Sequence, residues 1–439
     1  MWVRLGIVSA ASWLVGACYH PSPQVGLPCS PNHTCPGDQV CDLRQDPPTC
    51  VDELVDGGVD PDAVAVACST SAGCPSQAPV CDPADKVCRT CVADSECDGA
   101  CHELTGECFA EANVIYASPT GADNLTCAKS FPCATINTAL QRVTATRGLI
   151  RVADGSYPDE WNVKRRGGMS PPVIISGTDI APSGAVFTLA NAFGDPQTDP
   201  NTTLVLEGVT IKDAQQSGLV VRGTATLSHV AIEAAGGIGV DARLGSTLIL
   251  LDSRIEGGVG VGISSTESLE VERSQVLNNA AGGITASGGF TIVNTVIANN
   301  GMMNGGTFGG ARLAGVPGKA AVFRFNTVTK NIGGSLASGV QCESAIALED
   351  SIVHSNIGLL SPEIGASCSP MYCLLATAPG SGNNVQGNPM FVNAASDFHV
   401  AASSPAIDRA DPAATETVDF EGGRRPQGNA RDIGADEQP

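Results

Sequence analysis

The sequence predicts an all-β protein whose main part is a parallel β-helix, a solenoid in which each coil of short strands stacks on the coil before it. A phrase of Ser or Thr, one further residue and a β-branched residue recurs about every 22 residues. A second strand, which begins with glycine, follows most copies. The composition agrees, because 51 glycines and 4% aromatic residues among 439 are typical of turn-rich β structure, and 16% charged residues are too few for disorder.

The recurring phrases are GVTI, HVAI, DSRI, RSQV, NTVI, NTVT and DSIV, which end at Ile211, Ile232, Ile255, Val276, Ile297, Thr329 and Val353. Most intervals are 21 to 24 residues, and one of 32 residues contains the insertion GMMNGGTFGG. Strands of neighbouring coils pair at about 4.8 Å, so seven coils would stack to roughly 34 Å.

Alternation within each phrase predicts which side chains point into the helix. The terminal residues of the phrases should form an inward apolar column, with a polar inward position two residues earlier at Ser253, Ser274, Thr295, Thr327 and Ser351. Amide side chains can bond to one another and to the backbone at turns, and we expect this at Asn278, Asn299, Asn331 and Asn356. The glycine-rich GVGVG of residues 258–262 precedes another strand, whereas a dinucleotide site needs a helix there.

The first eighteen residues, MWVRLGIVSAASWLVGAC, have the form of a secretory signal, with Arg4 before an apolar run too short to span a bilayer. Gly16-Ala17-Cys18 resembles the lipobox of bacterial lipoproteins, although Val15 stands where leucine is commonest. The resemblance implies a signal peptide at 1–17 and a tether at 18–28 that begins with acylated Cys18. Membrane lipid would then be a partner of an exported protein anchored to the bacterial envelope, at the outer membrane or cell surface. Ordinary signal cleavage to a soluble product is the alternative.

Residues 29–112 are predicted to be disulfide-rich repeats, because export preserves disulfides and such small modules lack an apolar core. The phrases VCDLRQDPPTC, VCDPADKVC and ACHELTGEC mark three tandem modules. Cys88 and Cys91 have the spacing of a redox or zinc pair, but they join two repeats and are expected in structural disulfides. The sequence leaves the connectivity open within each set of four: Cys29, Cys35, Cys41, Cys50; Cys68, Cys74, Cys81, Cys88; and Cys91, Cys97, Cys101, Cys108.

An acidic linker over 51–67 separates the first module from the other two. The whole region resembles the Cys-rich spacers of bacterial surface lipoproteins, and we expect it to form a stalk.

The predicted β-helix covers 113–375, and both of its flanks resemble known segments. IYASPTGADNLTCAKSFPCATINTALQRV resembles the entry segment of bacterial right-handed β-helix proteins: a first strand, a loop closed by Cys127 and Cys133, and a short helix capping the first coil through Ile136, Leu140 and Val143. Residues 376–439 resemble the choice-of-anchor Q segment that follows such helices, with the words SPAID, GRRP and DIGADE, and are predicted to be a C-terminal cap. Which of Cys342, Cys368 and Cys373 is unpaired stays open.

The formal net charge of -21 argues against nucleic acid as a partner, since phosphate binding needs concentrated Lys and Arg. Acidic side chains could hold Ca²⁺, but we expect no cofactor and no metal site. Salt links between the C-terminal carboxylates and Arg424, Arg425 and Arg431 are preferred to a metal site. His354 and His399 are predicted to be isolated structural residues.

Many β-helix proteins are polysaccharide lyases or glycosidases, so outward carboxylates are candidate catalytic groups. Glu233 and Glu256 should lie about 5 Å apart on adjacent coils, with Arg254 beside them and Lys212 one coil earlier. A solvated polar face with mutually offsetting charges is the alternative. Apolar outward positions at Val296, Ala298, Val328 and Ile352 make a poor sugar groove. We therefore expect a structural or adhesive role, binding polysaccharide or another surface protein, with a carbohydrate-active enzyme of the β-helix class as the rival.

The lipid anchor predicts that Cys18→Ala moves the full chain from the membrane fraction to the soluble fraction, because the variant loses acyl chains whose burial contributes about 0.8 kcal/mol per CH₂. Fractionation of the producing bacterium followed by immunoblotting measures this. A variant that partitions with membranes as the parent does would show that the anchor is wrong.

Overall fold

The computed structural model describes residues 40–42, 49–51, 66–102, 104–158, 160–164, 172–178, 184–189, 195–302, 307–358, 362–377, 381–393 and 396–439. The predicted signal peptide, Cys18, Cys29 and Cys35 lie outside these residues. The chain divides into two units, Met1–Val64 and Ala65–Pro439. In the first, Val40–Asp42 pairs antiparallel with Thr49–Val51. None of the helices in the described residues is long and apolar enough to cross a bilayer.

Three columns of parallel strands build the second unit. Sheet A contains Val114–Ala117, Leu149–Val152, Val173–Ser176, Thr203–Glu207, Thr224–Ser228, Thr247–Leu251, Ser268–Glu272, Gly282–Val293, Ala321–Arg324, Ile346–Glu349 and Cys368–Met371. Sheet B contains Gly155–Tyr157, Ala185–Thr188, Val209–Lys212, Ala231–Glu233, Arg254–Glu256, Gln275–Leu277, Val296–Ala298, Thr327–Thr329, Ile352–His354, Leu374–Leu375 and Val385–Gln386.

Sheet C contains Asn162–Val163, Gln197–Thr198, Leu219–Val221, Val240–Ala242, Val261–Ser265, the first part of Gly282–Val293, Ala311–Gly315 and Val340–Cys342. Each coil runs through sheets B, C and A in turn. Pairing therefore begins before the first predicted phrase and continues to Val385–Gln386, within the segment predicted to be the cap.

The remaining elements are short. Two parallel two-residue strands pair at Ile332–Gly333 and Ile357–Gly358. Antiparallel hairpins form at Val80–Cys81 with Cys88–Arg89, Ala100–His102 with Glu107–Phe109, and Phe391–Asn393 with Asp397–Val400. The helices are the 3₁₀ turns Ser71–Gly73, Asp94–Glu96 and Glu111–Asn113, and the α-helix Ile136–Leu140.

The inward apolar column of sheet B is confirmed for most coils. Ile211, Ile232, Ile255, Val276 and Ile297 pair in register, and their side chains are fully buried or nearly so. The next member is Val328 and not the predicted Thr329, because Ile297 pairs with Val328. The insertion before this coil displaces the phrase by one residue. The aligned phrase is therefore FNTV, and Val328 points inward instead of outward.

The same displacement corrects the polar column. Side chains of Ser253, Ser274 and Ser351 accept from the backbone N–H of Val230, Ser253 and Asn326 respectively. In the displaced coil, Asn326 takes the place predicted for Thr327 and accepts from the N–H of Thr295. Each polar side chain thus satisfies a buried donor of the preceding coil, which sheet pairing leaves without a partner at this bend.

A second buried ladder consists of Asn279, Asn300, Asn331 and Asn356. Asn300 donates to the Val276 carbonyl and to Asn331 Oδ1, and its own Oδ1 accepts from the backbone and side chain of Asn279, at distances of 2.8 to 3.1 Å. Every hydrogen-bonding position of this amide is therefore used. The predicted Asn278 and Asn299 lie one residue earlier, at positive φ of 57° and 58°, where asparagine tolerates the left-handed turn.

Glycine at the start of sheet C strands answers a steric requirement. Gly239, Gly262 and Gly283 follow the turn out of sheet B and stack on one another. A Cβ on Gly262 would come within 2.6 Å of the Val276 side chain, and one on Gly239 within 2.5 Å of that of Ile255. Any larger residue would push apart the corner that closes the coil.

The N-terminal helix lies over the first coil as predicted. Ile136, Leu140 and Val143 are buried in the main core, and the Thr135 side chain caps the helix by accepting from the Thr138 N–H. The predicted Cys127–Cys133 disulfide closes the loop before it.

Disulfides in the second and third modules join the first cysteine to the third and the second to the fourth: Cys68–Cys81, Cys74–Cys88, Cys91–Cys101 and Cys97–Cys108. Cys88 and Cys91 therefore belong to different disulfides, as expected of a junction between repeats. Cys342 pairs with Cys368, which leaves Cys373 as a buried free thiol.

The third module is not a free stalk, because it packs on the outward face of sheet A. Ala100 and Phe109 contact the apolar outward residues of the first coils, including Leu149 and Ile174. Arg151, only 4% exposed, pairs with Asp94 and donates to the Cys101 carbonyl.

A second link is buried in the same contact. His102 lies 3.0 Å from a carboxylate oxygen of Glu207, and both side chains are buried. The prediction of a stalk is therefore wrong for the third module, because the cysteine spacing on which it rested does not show that a module covers the outward residues of sheet A.

Val276→Asp is expected to destabilise the protein by several kcal/mol, because it buries an unpaired carboxylate in the inward column. Gln275→Asp, one residue earlier on the outward face, is the matched control and should change stability by no more than about 0.5 kcal/mol. Thermal melts followed by circular dichroism measure both. Equal losses in the two variants would contradict the register of sheet B.

Candidate functional site

The outward face of sheet B changes character along its length. In its earlier coils it carries the partly exposed side chains of Lys212, Glu233, Arg254, Glu256 and Gln275, which we call the polar strip. Three-residue strands place two residues of each outward, so charged side chains of neighbouring coils stack side by side. Lys212 lies 3.8 Å from Glu233, and Arg254 lies 2.5 Å from Glu256.

The structure brings the predicted catalytic candidates together. Glu233 and Glu256 pair directly in adjacent strands, and Arg254 begins the strand that Glu256 ends. Each carboxylate, however, has its own cationic partner, Lys212 for Glu233 and Arg254 for Glu256. This arrangement matches the alternative of offsetting charges on a solvated face, and a catalytic role for the three residues stays a prediction.

A column of left-handed turn residues borders the polar strip. Asp252 and Arg273 occupy successive turns, with φ of 48° and 44°, and two hydrogen bonds of 2.8 and 3.0 Å join them. Arg273 also pairs with Glu272. Further along this column the turn residue is Phe325, with φ of 51°, because of the one-residue displacement already described.

In the later coils the outward face is apolar and covered. Leu277, Val296 and Ala298 pack against Phe398 and Phe420. A neighbouring cluster joins Phe325, Ile352 and Leu374 to the residues Val400, Ala406, Ala410 and Ile433.

The described residues of the range 391–439, which we call the C-terminal segment, therefore lie against the side of the β-helix. The sequence predicted a cap and took the apolar outward positions only as a poor sugar groove. Val296, Ala298 and Ile352 are in fact part of the contact surface for this segment, because burying them removes apolar area from water. Val328 points inward and belongs to the main core.

A buried arginine holds the C-terminal segment in shape. Arg425, from the word GRRP, is 2% exposed and stacks on the Phe325 ring at 4.8 Å. It donates to the carbonyls of Asp432 and Gly434 and pairs with Glu437 at 3.1 Å. The predicted salt links of the C-terminal carboxylates are confirmed for this pair. Burial lowers the pKa of Arg425, against the opposing effect of Glu437.

Gly434, from the word DIGADE, lies in close contact with sheet B. Its N–H donates to the Asp350 carbonyl at 2.8 Å, and its φ is +107°. A Cβ at this position would lie 2.7 Å from the Ile352 side chain. Glycine is thus required both by its conformation and by the contact.

A pocket of about 200 Å³ opens where the polar strip meets the C-terminal segment, and we call it the seam pocket. Sheet B and its turns contribute Asp252, Arg254, Arg273 and Gln275, and the C-terminal segment contributes Phe420 and Glu421. Sequence patterns identified Arg254 in this set. They could not identify Phe420 and Glu421, which belong to a segment without the repeat.

His399 contacts two residues that line this pocket, Phe420 and Glu421. The prediction that His399 is isolated is therefore wrong. Its Nδ1 lies 2.6 Å from Asp397, its Nε2 lies 3.3 Å from Glu421, and its ring packs on Phe420 at 5.2 Å. Burial acts to lower the pKa of His399, but the hydrogen bond to Asp397 and the nearby carboxylates outweigh it and raise the pKa.

A second pocket, of about 140 Å³, lies between Arg324 and Asp350 of the β-helix and Asp411 and Glu416 of the C-terminal segment. Arg324 pairs with Glu416, and Asp350 accepts from the Asp411 N–H at 2.6 Å. The pKa of Asp350 is raised to about 6, mainly by burial and also by the carboxylates of Asp411, Glu416 and Glu349, against the opposing effect of the hydrogen bond from the Asp411 N–H.

Comparison with known proteins agrees with this architecture. Residues 197–316 match a family described as right handed beta helix region. Among solved structures, the chain is similar to the crystal structure of pectate lyase Pel9A, with a TM-score of 0.57 and 15% identity over 75% of this chain and 100% of that chain. No curated protein matches the chain. The predicted fold class, an all-β right-handed parallel β-helix preceded by a disulfide-rich region, is confirmed.

The raised pKa of Asp350 predicts pH-dependent stability. Its pKa is about 6 in the folded protein against an ordinary value of 3.8, so the folded state binds the proton more tightly. This contribution to the free energy of unfolding is complete below about pH 4 and is lost as the pH rises through 6. Over the range from about pH 4 to 7.5, Asp350→Asn should flatten the fall in melting temperature that the parent shows between about pH 4 and 6, and at pH 7.5 it should melt a few degrees higher than the parent.

Asp241→Asn is the control, because Asp241 lies on sheet C in a surface pair with Arg243. Differential scanning calorimetry across this pH range measures all three proteins. A melting temperature that Asp350→Asn lowers at pH 7.5 would contradict the assignment.

Proposed function

We propose that the protein is an exported, lipid-anchored surface protein that binds polysaccharide along the polar strip of its β-helix. The observation that carries the proposal is the boundary on the outward face of sheet B, where partly exposed charged side chains give way to apolar side chains that the C-terminal segment covers. A rigid row of partly exposed charged side chains ends against the C-terminal segment, which supplies an aromatic ring and a carboxylate at the boundary. The ligand would lie along the polar strip with one end at this boundary.

Pre-ordered polar side chains support binding. Lys212, Glu233, Arg254 and Glu256 are held by one another and by adjacent parallel strands, so a ligand would not have to order them. The row offers both donors and acceptors, and a chain of hydroxyl groups can use both kinds. A long, straight face suits a linear polymer better than a small molecule.

Three further features support the proposed location outside the cytosol. Gly16-Ala17-Cys18 follows an apolar run, the described cysteine modules are closed by disulfides, and the formal net charge is -21. Disulfides persist in oxidising compartments outside the cytosol. Strong acidity keeps a surface protein soluble and repels nucleic acid.

The second candidate function is a carbohydrate-active enzyme, either a polysaccharide lyase or a glycoside hydrolase. The register of Glu233 with Glu256 favours it, since two carboxylates about 5 Å apart are the arrangement of retaining glycosidases. Pectate lyase Pel9A shares the fold at 15% identity, and that likeness extends to the fold alone. The ion pairs of both glutamates favour binding over catalysis, because a retaining glycosidase needs one of its two carboxyl groups to deliver a proton to the leaving group, whereas each glutamate here is engaged by a cation.

Lys212→Ala should lower the affinity for any polysaccharide that the parent protein binds by about fivefold or more. The substitution removes a donor from the polar strip and leaves Glu233 without its cation. Lys319→Ala is the matched control. Lys319 pairs with Glu267 at a different corner of the coil, and the exposed fractions of the two pairs are nearly equal: 46% and 35% for Lys212 and Glu233, against 43% and 34% for Lys319 and Glu267.

Affinity electrophoresis and calorimetry over a panel of neutral and acidic polysaccharides measure binding, and chromatography of the same mixtures detects cleavage products. Equal binding by the two variants would contradict the proposal that the polar strip is the binding surface. Release of products that grows with enzyme concentration would favour the second candidate function. An absence of binding across the panel would refute the proposal.

A further inference from the structure

We propose that the seam pocket binds one neutral pyranose residue of the polysaccharide, as the subsite at which a ligand chain meets the C-terminal segment. The inference rests on the proposed function and adds a site and a ligand class to it. Its basis is the group of side chains that sheet B and the C-terminal segment bring together in a pocket of about 200 Å³.

The size of the pocket limits the ligand. Pockets for drug-sized molecules begin at roughly 300 Å³, so this pocket admits a smaller unit such as a single sugar ring. Arg254 belongs both to the pocket and to the polar strip. The adjoining residues of a polymer bound in the pocket would therefore be next to Glu256 and Glu233.

The pocket has the two kinds of surface that a pyranose ring requires. Phe420 lines the pocket with the small exposed part of its ring, since it is 7% exposed and packs in one cluster with Leu277 and against the His399 ring. The C–H groups of a sugar can contact this apolar edge. Arg254 and Gln275 offer N–H donors, and Glu421, whose side chain is 62% exposed, offers acceptors. Neighbouring hydroxyl groups can donate to the carboxylate and accept from the guanidinium at the same time.

Charge selects a neutral sugar over an acidic one. Arg273 is already paired with Asp252 and Glu272, and Arg254 is paired with Glu256. Glu421 adds a further carboxylate at the mouth, with His399 as its neighbour. A uronic acid would bring another negative charge to cations that have partners, and it would face carboxylates whose repulsion opposes binding. Hydroxyl groups meet no such penalty.

The geometry also explains why the pocket is stable without a ligand. Asp252 and Arg273 are fixed by their paired hydrogen bonds and by the left-handed turns of successive coils. Phe420 is fixed by the cluster that attaches the C-terminal segment to sheet B. A ligand would therefore bind to side chains that are already ordered, which lowers the entropic cost of binding.

The test measures binding of methyl glucoside, methyl galactoside and methyl mannoside to the whole protein, against glucuronic and galacturonic acid, by saturation-transfer NMR and calorimetry. At least one neutral glycoside should bind about fivefold more tightly than either uronic acid, and its affinity should change little between low and high salt because neither ring nor linkage is charged. Uronic acids that bind as well as the neutral glycosides would overturn the ligand class.

Gln275→Ala and Glu421→Gln should each weaken that binding by about tenfold, which corresponds to roughly 1.4 kcal/mol. Glu343→Gln, in a surface pair with Arg312 on sheet C, is the control and should bind as the parent does. Phe420→Leu keeps apolar packing against Leu277 while removing the aromatic face, so a loss of binding at unchanged melting temperature separates recognition from attachment of the C-terminal segment.

The two proposals fail in different ways. If Lys212→Ala weakens polysaccharide binding while Gln275→Ala and Glu421→Gln do not, the strip binds the polymer and the pocket is not a subsite. If a neutral glycoside binds in the pocket but no polysaccharide binds the protein, the pocket stands and the proposed function is wrong. If neither ligand binds, both are wrong.

Discussion

Coil-to-coil pairing in a fixed register is the constraint on which the rest of the structure depends. Side chains alternate between the inside and the outside, so a slip of one residue would exchange the two faces of every strand. The buried ladder from Asn279 through Asn300 to Asn356 opposes such a slip, because each amide bonds to the next and to the backbone of the coil before it. A slip would break several buried hydrogen bonds at once, each costing about 1–3 kcal/mol.

A solenoid of this kind leaves its lateral faces open, and this protein covers parts of two of them with segments from outside the repeat. The third cysteine module covers the first coils of sheet A, and the C-terminal segment covers the later coils of sheet B. Both contacts combine apolar area with a buried arginine, Arg151 in one and Arg425 in the other. Burial supplies the larger part of the attraction, and the directional bonds of the guanidinium fix the position of each segment.

The candidate binding surface is a consequence of that partial covering. The polar strip remains partly exposed because the C-terminal segment ends its contact near Leu277. At that boundary two elements that are far apart in the chain form one pocket, with Arg254 on one side and Glu421 on the other. Binding sites often form where separate elements meet, since neither element alone provides both an apolar and a polar surface.

The sequence by itself determined the fold class, the inward column through Ile255, Val276 and Ile297, and the shared face of Glu233, Arg254 and Glu256. These follow from local alternation and from a period that places equivalent residues in register, so they can be identified without knowing the partner of any segment. Where the insertion before Phe325 interrupts the period, the prediction failed by one residue and assigned Thr329 to the place of Val328.

Tertiary structure alone decided the pairing of the cysteines within the second and third modules, the lateral position of the third module and of the C-terminal segment, and the seam pocket with Gln275, Phe420 and Glu421. Their physical reason is the same in each case. Burial of an apolar face on sheet A or sheet B stabilises the protein. The segment that covers the face, however, lies tens to more than a hundred residues away in the chain and carries no repeat. Complementarity in shape and in buried hydrogen bonds selects that segment, and these properties exist only once the coils have stacked.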